Sequence, residues 1–272
     1  MYKGNDYFKD EKMELTALYY TANQIPEFFA KKIRENLFEA CRELPIISIS
    51  QKPLDFGKNI CIGERGPSIL GIYNQVLIGA REAKTKYVAL CEDDILYHSS
   101  HFRMYRPSED HFGYNHNKWE IFTWERNPVF SCKIGRSLLN QCIANRQLLI
   151  EALEERFSKF STYTKERIRK HFGEFGKYER WLGVTIRKQE IFFSPEPNII
   201  FCHGDALDYK QGLGSRKGHG DIRIKEVPPW GKAEEILIKY FGEENWKNQQ
   251  RRNGYGSSGH TYENLYRKEN KL

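Results

Sequence analysis

The feature that most constrains the fold of this chain is a short apolar run that ends abruptly in three acids. Residues 86–97 read KYVALCEDDILY, and the run from Tyr87 to Cys91 has the composition of a buried strand. Glu92, Asp93 and Asp94 follow it directly. Adjacent carboxylates repel one another, and their burial is costly unless a cation neutralises them. The pattern predicts either a cation site at a strand end or an acidic turn in solvent.

The oxygen chemistry of this triplet favours a hard divalent cation over other ligands. Mg²⁺ and Mn²⁺ take carboxylate ligands and also bridge to phosphate oxygens. The sequence therefore predicts a site for one of these ions together with a nucleotide diphosphate. The segments that surround the triplet decide between this site and the acidic turn.

The segments before the triplet alternate between strand and helix patterns, as in a parallel sheet. Residues 15–21 and 45–50 have strand composition, and a helical pattern that starts at Pro26 lies between them. A glycine-containing loop follows, and apolar residues then recur on one face of a predicted helix over residues 67–83. This series places the triplet at the carboxyl end of a parallel strand, where α/β sheets bind ligands.

The segments after the triplet predict a more antiparallel portion. Residues 98–118 are polar and contain proline, so we expect a loop there. The remaining predicted elements are strands at 119–124, 129–133 and 139–144, a helix that ends near residue 157, a partly helical basic segment (158–173), a short helix (181–188) and a strand pair (191–202).

Length and composition favour one α/β domain with a C-terminal appendage. The chain has 272 residues, of which 39% are hydrophobic, enough for a sizeable core. We expect a charged N-terminal segment (1–14), a domain (15–205) built on a mixed sheet flanked by helices, and an appendage (206–272). The appendage contains one predicted helix, residues 232–241, and a tail rich in glycine and serine around residues 251–260.

The cysteines and the apolar runs indicate a cytoplasmic protein without a membrane association. No apolar run approaches the roughly 18 residues that span a bilayer. Residues 1–14 are charged throughout and do not resemble a secretory signal. The six cysteines form no C-x-x-C pair, and several lie in apolar stretches, which favours reduced thiols over zinc or disulfides.

The positive charge of the chain is concentrated in one stretch. The net charge is +7, and residues 156–188 alone contain ten lysines and arginines against three glutamates. Such a stretch suits a polyanion, nucleic acid foremost, although a solvated helix face is the simpler interpretation. A non-catalytic nucleic-acid-binding module is one hypothesis for the whole protein, but it leaves the acid triplet unexplained.

The order and spacing of these motifs resemble glycosyltransferases of the GT-A fold, closest to the family 2 type. Leu15 to Asn23 resembles the first strand and the turn that contacts the nucleotide, which makes Thr21, Ala22 and Asn23 expected donor-binding residues. Arg65, at the start of the second helix, is expected to contact the nucleotide or its diphosphate. Residues 91–94 resemble the DxD-type motif, in which acids hold Mn²⁺ or Mg²⁺ on the sugar nucleotide.

In the resemblance, the triplet and two later motifs supply the remaining site residues. It implies that Glu92 and Asp93 contact the donor and that Asp93 and Asp94 bind the metal. Residues 173–183 (GEFGKYERWLG) resemble the element that carries the catalytic base, but they offer Glu174 and Glu179 in place of an adjacent acid pair. Residues 192–203 resemble the following strand, which ends in a histidine near the metal, here His203. The base therefore remains open between the two glutamates.

The resemblance implies a metal-dependent transfer of a sugar from a nucleotide sugar, most often a UDP-sugar, to a hydroxyl group. Segments such as SQKP after the second strand are similar to small phage-encoded enzymes, which implies 5-hydroxymethylpyrimidine in DNA as the acceptor. A DNA acceptor would bind through the basic stretch Arg156 to Lys188; a glycan or a protein acceptor is the alternative. A nucleotidyltransferase is the rival enzyme, but residues 21–24 (TANQ) do not form its phosphate loop.

Overall fold

A computed structural model describes residues 14–204 and 220–252 of the chain. The strands are β1 (Leu15–Thr21), β2 (Ile46–Ser50), β3 (Lys58–Cys61), β4 (Tyr87–Glu92), β5 (Ile95–Leu96), β6 (His111–Asn115), β7 (Lys118–Phe122), β8 (Phe130–Cys132), β9 (Cys142–Asn145), β10 (Lys188–Phe192), β11 (Asn198–Cys202), β12 (Ile222–Ile224), β13 (Glu226–Val227) and β14 (Gly231–Lys232). The α-helices are α1 (Glu27–Cys41), α2 (Ile69–Glu82), α3 (Ser99–Arg103), α4 (Arg146–Ser158), α5 (Lys165–His171), α6 (Glu179–Leu182), α7 (Ala233–Ile236) and α8 (Glu243–Arg252). Short 3₁₀ turns cover Leu139–Gln141 and Phe160–Thr162, and a π-helical turn covers Leu237–Phe241.

The largest sheet has seven strands in the order β10-β6-β9-β4-β1-β2-β3. Strands β4, β1, β2 and β3 run parallel, and β9 is antiparallel to both of its neighbours. In the register, Thr21 lies opposite Ser50, and Tyr20 lies opposite Glu92. The carboxyl ends of β1, β2 and β4 therefore meet at one edge. The predicted mixed α/β sheet flanked by helices is confirmed.

Helices α1 and α2 cover opposite faces of this sheet because each has one apolar face. Buried side chains of α2 such as Tyr73 and Val76 form one core with the sheet, and those of α1 such as Leu37 pack on the other face. Gly79 of α2 is required by close packing, because a Cβ atom there would lie 2.5 Å from Cδ1 of Ile49 on β2. This contact packs the last part of α2 closely against β2.

A second sheet, in the order β12-β8-β7-β11-β5, is the antiparallel portion predicted from the sequence. Only β7 and β11 in it are parallel neighbours. The amide of Phe201 on β11 donates a hydrogen bond of 2.9 Å to the carbonyl oxygen of Asp94. The end of β11 is thereby fixed beside the acid triplet.

Three sequence predictions of secondary structure were wrong. The glycine loop before α2 contains β3, an edge strand whose residues are largely exposed and so lack an apolar run. The predicted loop at residues 98–118 contains α3 and β6, in which only Phe112 and Tyr114 alternate as buried apolar residues around Gly113. The helix predicted at 181–188 starts earlier and is shorter, since α6 ends before Gly183, which has a φ of +68°.

The predicted helix at residues 232–241 is present as α7 and the π-helical turn, whereas α8 was not predicted. Leu237, Phe241 and Trp246 from this C-terminal part form one core cluster with Phe29 and Phe201. The predictions for residues 1–13, 205–219 and 253–272, including Asp205 and the tail, lie outside the described residues. None of the helices in the described ranges combines the length and apolar character that crossing a bilayer requires.

Candidate active site

The first acid of the triplet, Glu92, ends β4 and is held by two hydrogen-bond donors. The hydroxyl of Tyr20 donates to Glu92 Oε1 at 3.0 Å, and Asn140 Nδ2 donates to Oε2 at 2.6 Å. Both carboxylate oxygens are therefore occupied. Burial, followed by repulsion from Asp94, raises the pKa of Glu92 to about 8.

The second acid, Asp93, is fixed by the end of β1. Its Oδ2 accepts a short hydrogen bond from the hydroxyl of Thr21, and the same hydroxyl accepts from the backbone amide of Asn23. Burial, and then the neighbouring Asp94, raises the pKa of Asp93 to about 6. Neither acid forms an ion pair with a lysine or arginine in the described ranges, so their negative charge is uncompensated by the fold.

The third acid, Asp94, lies next to His203. Asp94 Oδ2 and His203 Nε2 are 3.5 Å apart, and the histidine side chain is 1% exposed. The other polar atoms of the pair, Asp94 Oδ1 and His203 Nδ1, are buried and have no hydrogen-bond partner among the described residues. Buried polar atoms in native proteins are almost always satisfied, so an unpartnered atom on each of two neighbouring side chains leaves both residues capacity to bind a ligand.

These residues fit a divalent cation that takes most of its ligands from a bound phosphate and water. Among the described residues there is no ready cluster of three or more histidine, cysteine or acidic side chains of the kind that holds a metal alone. Mg²⁺ is commonly bound by one or two carboxylates plus substrate phosphates, with no all-protein cage. Asp94 and His203, with Asp93 beside them, supply a ligand set of that size.

The acid triplet forms one wall of a cavity of about 570 Å³ at the carboxyl edge of the large sheet. The strand ends and α2 supply this wall, and the segment after α5 supplies another. The polar and charged lining residues outside the triplet are Tyr20, Thr21, Gln24, Gln51, Ser68, Tyr73, Gln75, Lys133, Arg136, Lys170, Glu174, Lys177, Tyr178 and His203. The cavity has the size of a small-molecule site and brings acids and cations together.

The three expected donor-binding residues in the turn after β1 differ in their position relative to the cavity. Thr21 and Ala22 line the cavity, whereas Asn23 does not. Asn23 Oδ1 accepts hydrogen bonds from the amides of Gln51 (2.8 Å) and Lys52 (2.9 Å). Its φ of +52° is one that asparagine tolerates better than most residues. Asn23 thus ties the ends of β1 and β2 together.

Arg65 is exposed and is not among the residues that line the cavity. Its backbone amide donates to Gln51 Oε1 at 2.8 Å, and Gln51 Nε2 donates to the carbonyl of Gly66 at 2.9 Å. Gln51 itself lines the cavity.

Gln75, a second lining residue that the sequence did not single out, donates to the carbonyls of Thr21 (2.8 Å) and Ile49 (3.0 Å). A glutamine within a helical pattern carries no local signal of such a role.

The two candidate bases differ in position. Glu174 lines the cavity, and its carboxylate has no hydrogen-bond or ion-pair partner in the described part of the chain. Glu179 does not line the cavity and is 2% exposed. Its Oε1 lies 2.8 Å from Arg156 Nη2 and accepts from the amide of Gly176 at 2.8 Å. The guanidinium of Arg156 lies 4.3 Å from the ring centre of Phe175. Glu179 is therefore enclosed as half of a buried ion pair.

The basic stretch Arg156 to Lys188 is partly neutralised by the fold. Arg156 is buried against Glu179, and four further members form ion pairs: Lys159 and Arg187 with Glu155, Lys170 with Glu166, and Lys188 with Asp110. Four others, Lys165, Arg167, Lys177 and Arg180, are exposed and have no ion-pair partner among the described residues. The side chain of Arg169 lies outside the described part.

Comparison with known proteins gives structural matches only. No family model and no curated protein matches the sequence. The glycosyltransferase GlyE of Streptococcus pneumoniae TIGR4 matches with a TM-score of 0.42 at 10% identity, over 89% of this chain and 63% of that one. A glycosyltransferase involved in the glycosylation of the major capsid of PBCV-1 matches with a TM-score of 0.36 at 11% identity (66% and 81%). The bifunctional IspDF of Campylobacter jejuni matches with a TM-score of 0.37 at 10% identity (68% and 50%). At this level of similarity, function has to be argued from the site.

Proposed function

We propose that this chain is a metal-dependent glycosyltransferase that moves a sugar from a nucleotide sugar, with UDP as the favoured nucleotide, to a hydroxyl acceptor. One observation carries the proposal. Asp94 and His203 meet at the cavity edge with a buried, unpartnered polar atom on each, beside two further acids whose charge nothing in the described part of the fold neutralises. A divalent cation bound to a diphosphate would satisfy both needs.

The strand ends would hold the donor. Thr21 and Ala22 in the turn after β1, and Gln51 after β2, face the cavity where the nucleoside would bind. Asn23 and Gln75 keep these two strand ends in register through hydrogen bonds to the backbone. The nucleotide would thus lie along the carboxyl edge, with its diphosphate next to Asp94.

Asp94 and His203, supported by Asp93, would hold Mn²⁺ or Mg²⁺. A bound divalent cation supplies Lewis-acid stabilisation of the negative charge that develops on the departing diphosphate. Lys133 and Arg136 also line the cavity, and Arg136 is paired with Glu120 at 3.3 Å. Thr21 orients Asp93 through the hydroxyl bond to Oδ2, so that Oδ1 would face the ion or the donor.

Glu174 would act as the base. Its carboxylate takes the proton of the acceptor hydroxyl while that oxygen forms a bond to the anomeric carbon. The bond between the anomeric carbon and the phosphate oxygen breaks, and the nucleoside diphosphate leaves with the bonding electrons. Glu179 is unsuited to this role because its charge is bound to Arg156 and it has no access to the cavity.

For the acceptor we propose a 5-hydroxymethylpyrimidine in DNA, which implies action in the cytoplasm; a glycan or protein hydroxyl is the alternative. The primary support is the set of exposed cations in the basic stretch, next to the cavity, that have no ion-pair partner among the described residues. A polyanionic acceptor matches their charge.

The test is a thermal-shift screen of nucleotides and nucleotide sugars with and without Mn²⁺, followed by mass spectrometry of candidate acceptors. We expect UDP or a UDP-sugar to raise the melting temperature only when Mn²⁺ is present, and a mass increase of one sugar residue on the acceptor. A stabilisation by nucleotides that excess EDTA does not abolish would contradict the metal assignment. The absence of any nucleotide effect would contradict the glycosyltransferase.

A further inference from the structure

Three aromatic side chains form a surface cluster beside the cavity, which we call the aromatic platform (His171, Tyr178 and Trp181). The rings of His171 and Trp181 are stacked, with their centres 5.3 Å apart and their planes at 12°. Tyr178 packs against both, at 5.8 Å from His171 and 6.2 Å from Trp181. Gly173 permits this packing, because a Cβ atom there would lie 2.6 Å from the tyrosine ring.

The rings of the aromatic platform are held by packing against one another, but the platform is only partly covered by other protein atoms. Trp181 is 54% exposed although it is the largest apolar side chain of α6. His171 Nδ1 is buried and has no hydrogen-bond partner in the part of the chain that the structure describes. A large exposed ring that is oriented by two neighbours, and so loses little freedom on binding, is typical of a surface that contacts a ligand.

The platform is continuous with the proposed base. Tyr178 lines the cavity, and so do Glu174 and Lys177 from the same segment. The ammonium of Lys177 lies 5.0 Å from the centre of the Tyr178 ring. A molecule that stacks on the platform therefore reaches the cavity at the segment that carries Glu174.

The charge around the platform identifies the chemistry of its occupant. The four exposed cations without an ion-pair partner in the described ranges (Lys165, Arg167, Lys177 and Arg180) all belong to α5, α6 or the segment between them. The other described basic residues of the stretch are paired or buried. Exposed positive charge and a planar ring occur together in the segment from α5 to α6, and Lys177 contacts the platform directly. A polymer with phosphates and flat bases matches both. A neutral glycan would match only the ring.

We propose that the aromatic platform and these four cations form an acceptor subsite for single-stranded or flipped-out DNA, with a base stacked on Trp181. This inference rests on the proposed function for its chemistry but not for binding. In the complex, the hydroxymethyl group of the next base enters the cavity. Its proton passes to Glu174, its oxygen bonds to the anomeric carbon, and the nucleoside diphosphate departs.

The test measures binding of a labelled single-stranded oligonucleotide of about 12 nucleotides, with 5-hydroxymethylcytosine at its centre, by fluorescence anisotropy. Loss of one base stack in Trp181→Ala should weaken binding roughly tenfold to hundredfold, and Trp181→Phe should recover most of the loss. The double variant Lys165→Gln/Arg167→Gln should flatten the log–log salt dependence by about 0.7 for each phosphate that the protein no longer binds. All variants are first checked for an unchanged melting temperature.

Matched controls lie on other faces of the protein. Phe193→Ala removes an aromatic side chain that is 70% exposed, and Lys31→Gln/Lys247→Gln removes two exposed lysines of α1 and α8. Both controls should bind the oligonucleotide like the wild type. Binding that is equal in Trp181→Ala and in the wild type would overturn the base stack. Heparin bound with the same dependence on Trp181 would overturn DNA as the occupant.

Binding of UDP with Mn²⁺, measured in the same variants, separates this inference from the proposed function. UDP binding without oligonucleotide binding would overturn the DNA subsite and leave the glycosyltransferase in place. Oligonucleotide binding that depends on Trp181, in a protein that binds no nucleotide with metal, would contradict the glycosyltransferase and support the subsite. If duplex DNA binds as tightly as the single strand and Trp181→Ala has no effect, the surface contacts only the phosphates. That result would overturn the inference.

Discussion

Glu179 and the acid triplet differ in how the negative charge of their carboxylates is compensated. Glu179 pairs with Arg156 at 2.8 Å, and the two side chains are 3% and 1% exposed. The acid triplet receives hydrogen bonds from Tyr20, Asn140 and Thr21 but has no lysine or arginine partner among the described residues. Glu179 has a cation that the fold supplies, whereas the only neighbour of this kind for the triplet in the described ranges is His203, 3.5 Å from Asp94.

We propose this difference as the criterion that separates structural acids of this domain from acids of the active site. A buried ion pair that the fold completes has nothing left to bind and only holds its segment together. Acids without a counter-charge at the edge of a cavity have raised pKa values, as Glu92 and Asp93 do, and are suited to a cation that comes from solution. The same criterion moves the role of base from Glu179, which has a partner, to Glu174, which has none in the described ranges.

The largest effect is expected at Asp94. Asp94→Asn removes one charge at constant volume and should abolish both Mn²⁺-dependent stabilisation and sugar transfer, since a catalytic metal contributes several kcal/mol, roughly 10³-fold or more. Melting in EDTA should stay equal or rise, because repulsion within the triplet is relieved. Asp110→Asn, at an exposed acid paired with Lys188, is the control and should change neither property. Normal metal-dependent activity of Asp94→Asn would show that the triplet is structural.

The next effect is expected at Glu174. Glu174→Gln should lower kcat by roughly 10²- to 10⁴-fold, the usual contribution of a general base. UDP binding with Mn²⁺ should persist, because Glu174 and the triplet lie on different walls of the cavity. Steady-state kinetics and thermal shift on the same preparation provide the two readouts. A near-normal kcat would remove Glu174 from the chemistry and leave the cavity without a base on that wall.

Glu179→Gln should act on stability. It leaves the Arg156 guanidinium buried among Phe172, Phe175 and Tyr73 without a counter-charge, at a cost of about 3 kcal/mol. Urea unfolding measures this loss, and the double variant Arg156→Met/Glu179→Leu should recover most of it because the unpaired charge is gone. A stable Glu179→Gln protein with a kcat reduced as strongly as in Glu174→Gln would reverse the two assignments.

The sequence predicts the acid edge better than the opposite wall for a physical reason. Strands β1 and β4 are continuous apolar runs, so their ends, and the acids at one of them, could be located without tertiary information. The choice between Glu174 and Glu179 depends on Arg156, 23 residues earlier in the chain, which only packing brings beneath α6. Asn140 reaches Glu92 from 48 residues away in the same manner. Such side-chain bonds between distant segments have no local pattern.

Lys118 on β7 is a buried cation, and it allows the comparison of paired and unpaired buried charges to be tested with the opposite sign. It is 3% exposed, its Nζ has no hydrogen-bond partner among the described residues, and it does not line the cavity. Burial lowers its pKa to about 8. Because the folded-state pKa lies below the unfolded value of 10.5, stability is lost as the pH falls from about 10.5 to about 8. Lys118→Met should therefore raise stability at pH 7 by on the order of 2 kcal/mol, and by less at pH 10. The control Lys188→Met replaces an exposed lysine and should show no pH-dependent gain in stability. If Lys118→Met lost activity without becoming more stable, Lys118 would have a function other than a structural one.

The smallest effect is expected at Gln249 of α8, which links the C-terminal part to the segment that carries His203, the proposed metal ligand. Gln249 is 6% exposed, and its Oε1 accepts a hydrogen bond of 3.1 Å from the amide of Gly204, the residue after His203. Side chains that orient a metal ligand typically contribute 10- to 100-fold to metal affinity, and this one acts through the backbone. We therefore expect Gln249→Ala to weaken Mn²⁺ binding by about tenfold, as measured by calorimetry in the presence of UDP.

Gln250→Ala on the same helix is the matched control for this prediction. Its side chain donates to the carbonyl of Glu125 at 3.2 Å and has no bond to Gly204. Both variants remove one amide from α8, so a shared loss of affinity would indicate loosening of the whole helix. A loss confined to Gln249→Ala would place the cause at the backbone next to His203. It would also extend the comparison between Glu179 and the acid triplet. The position of His203 beside the triplet would then depend on an uncharged hydrogen bond from α8, a helix outside the sheet.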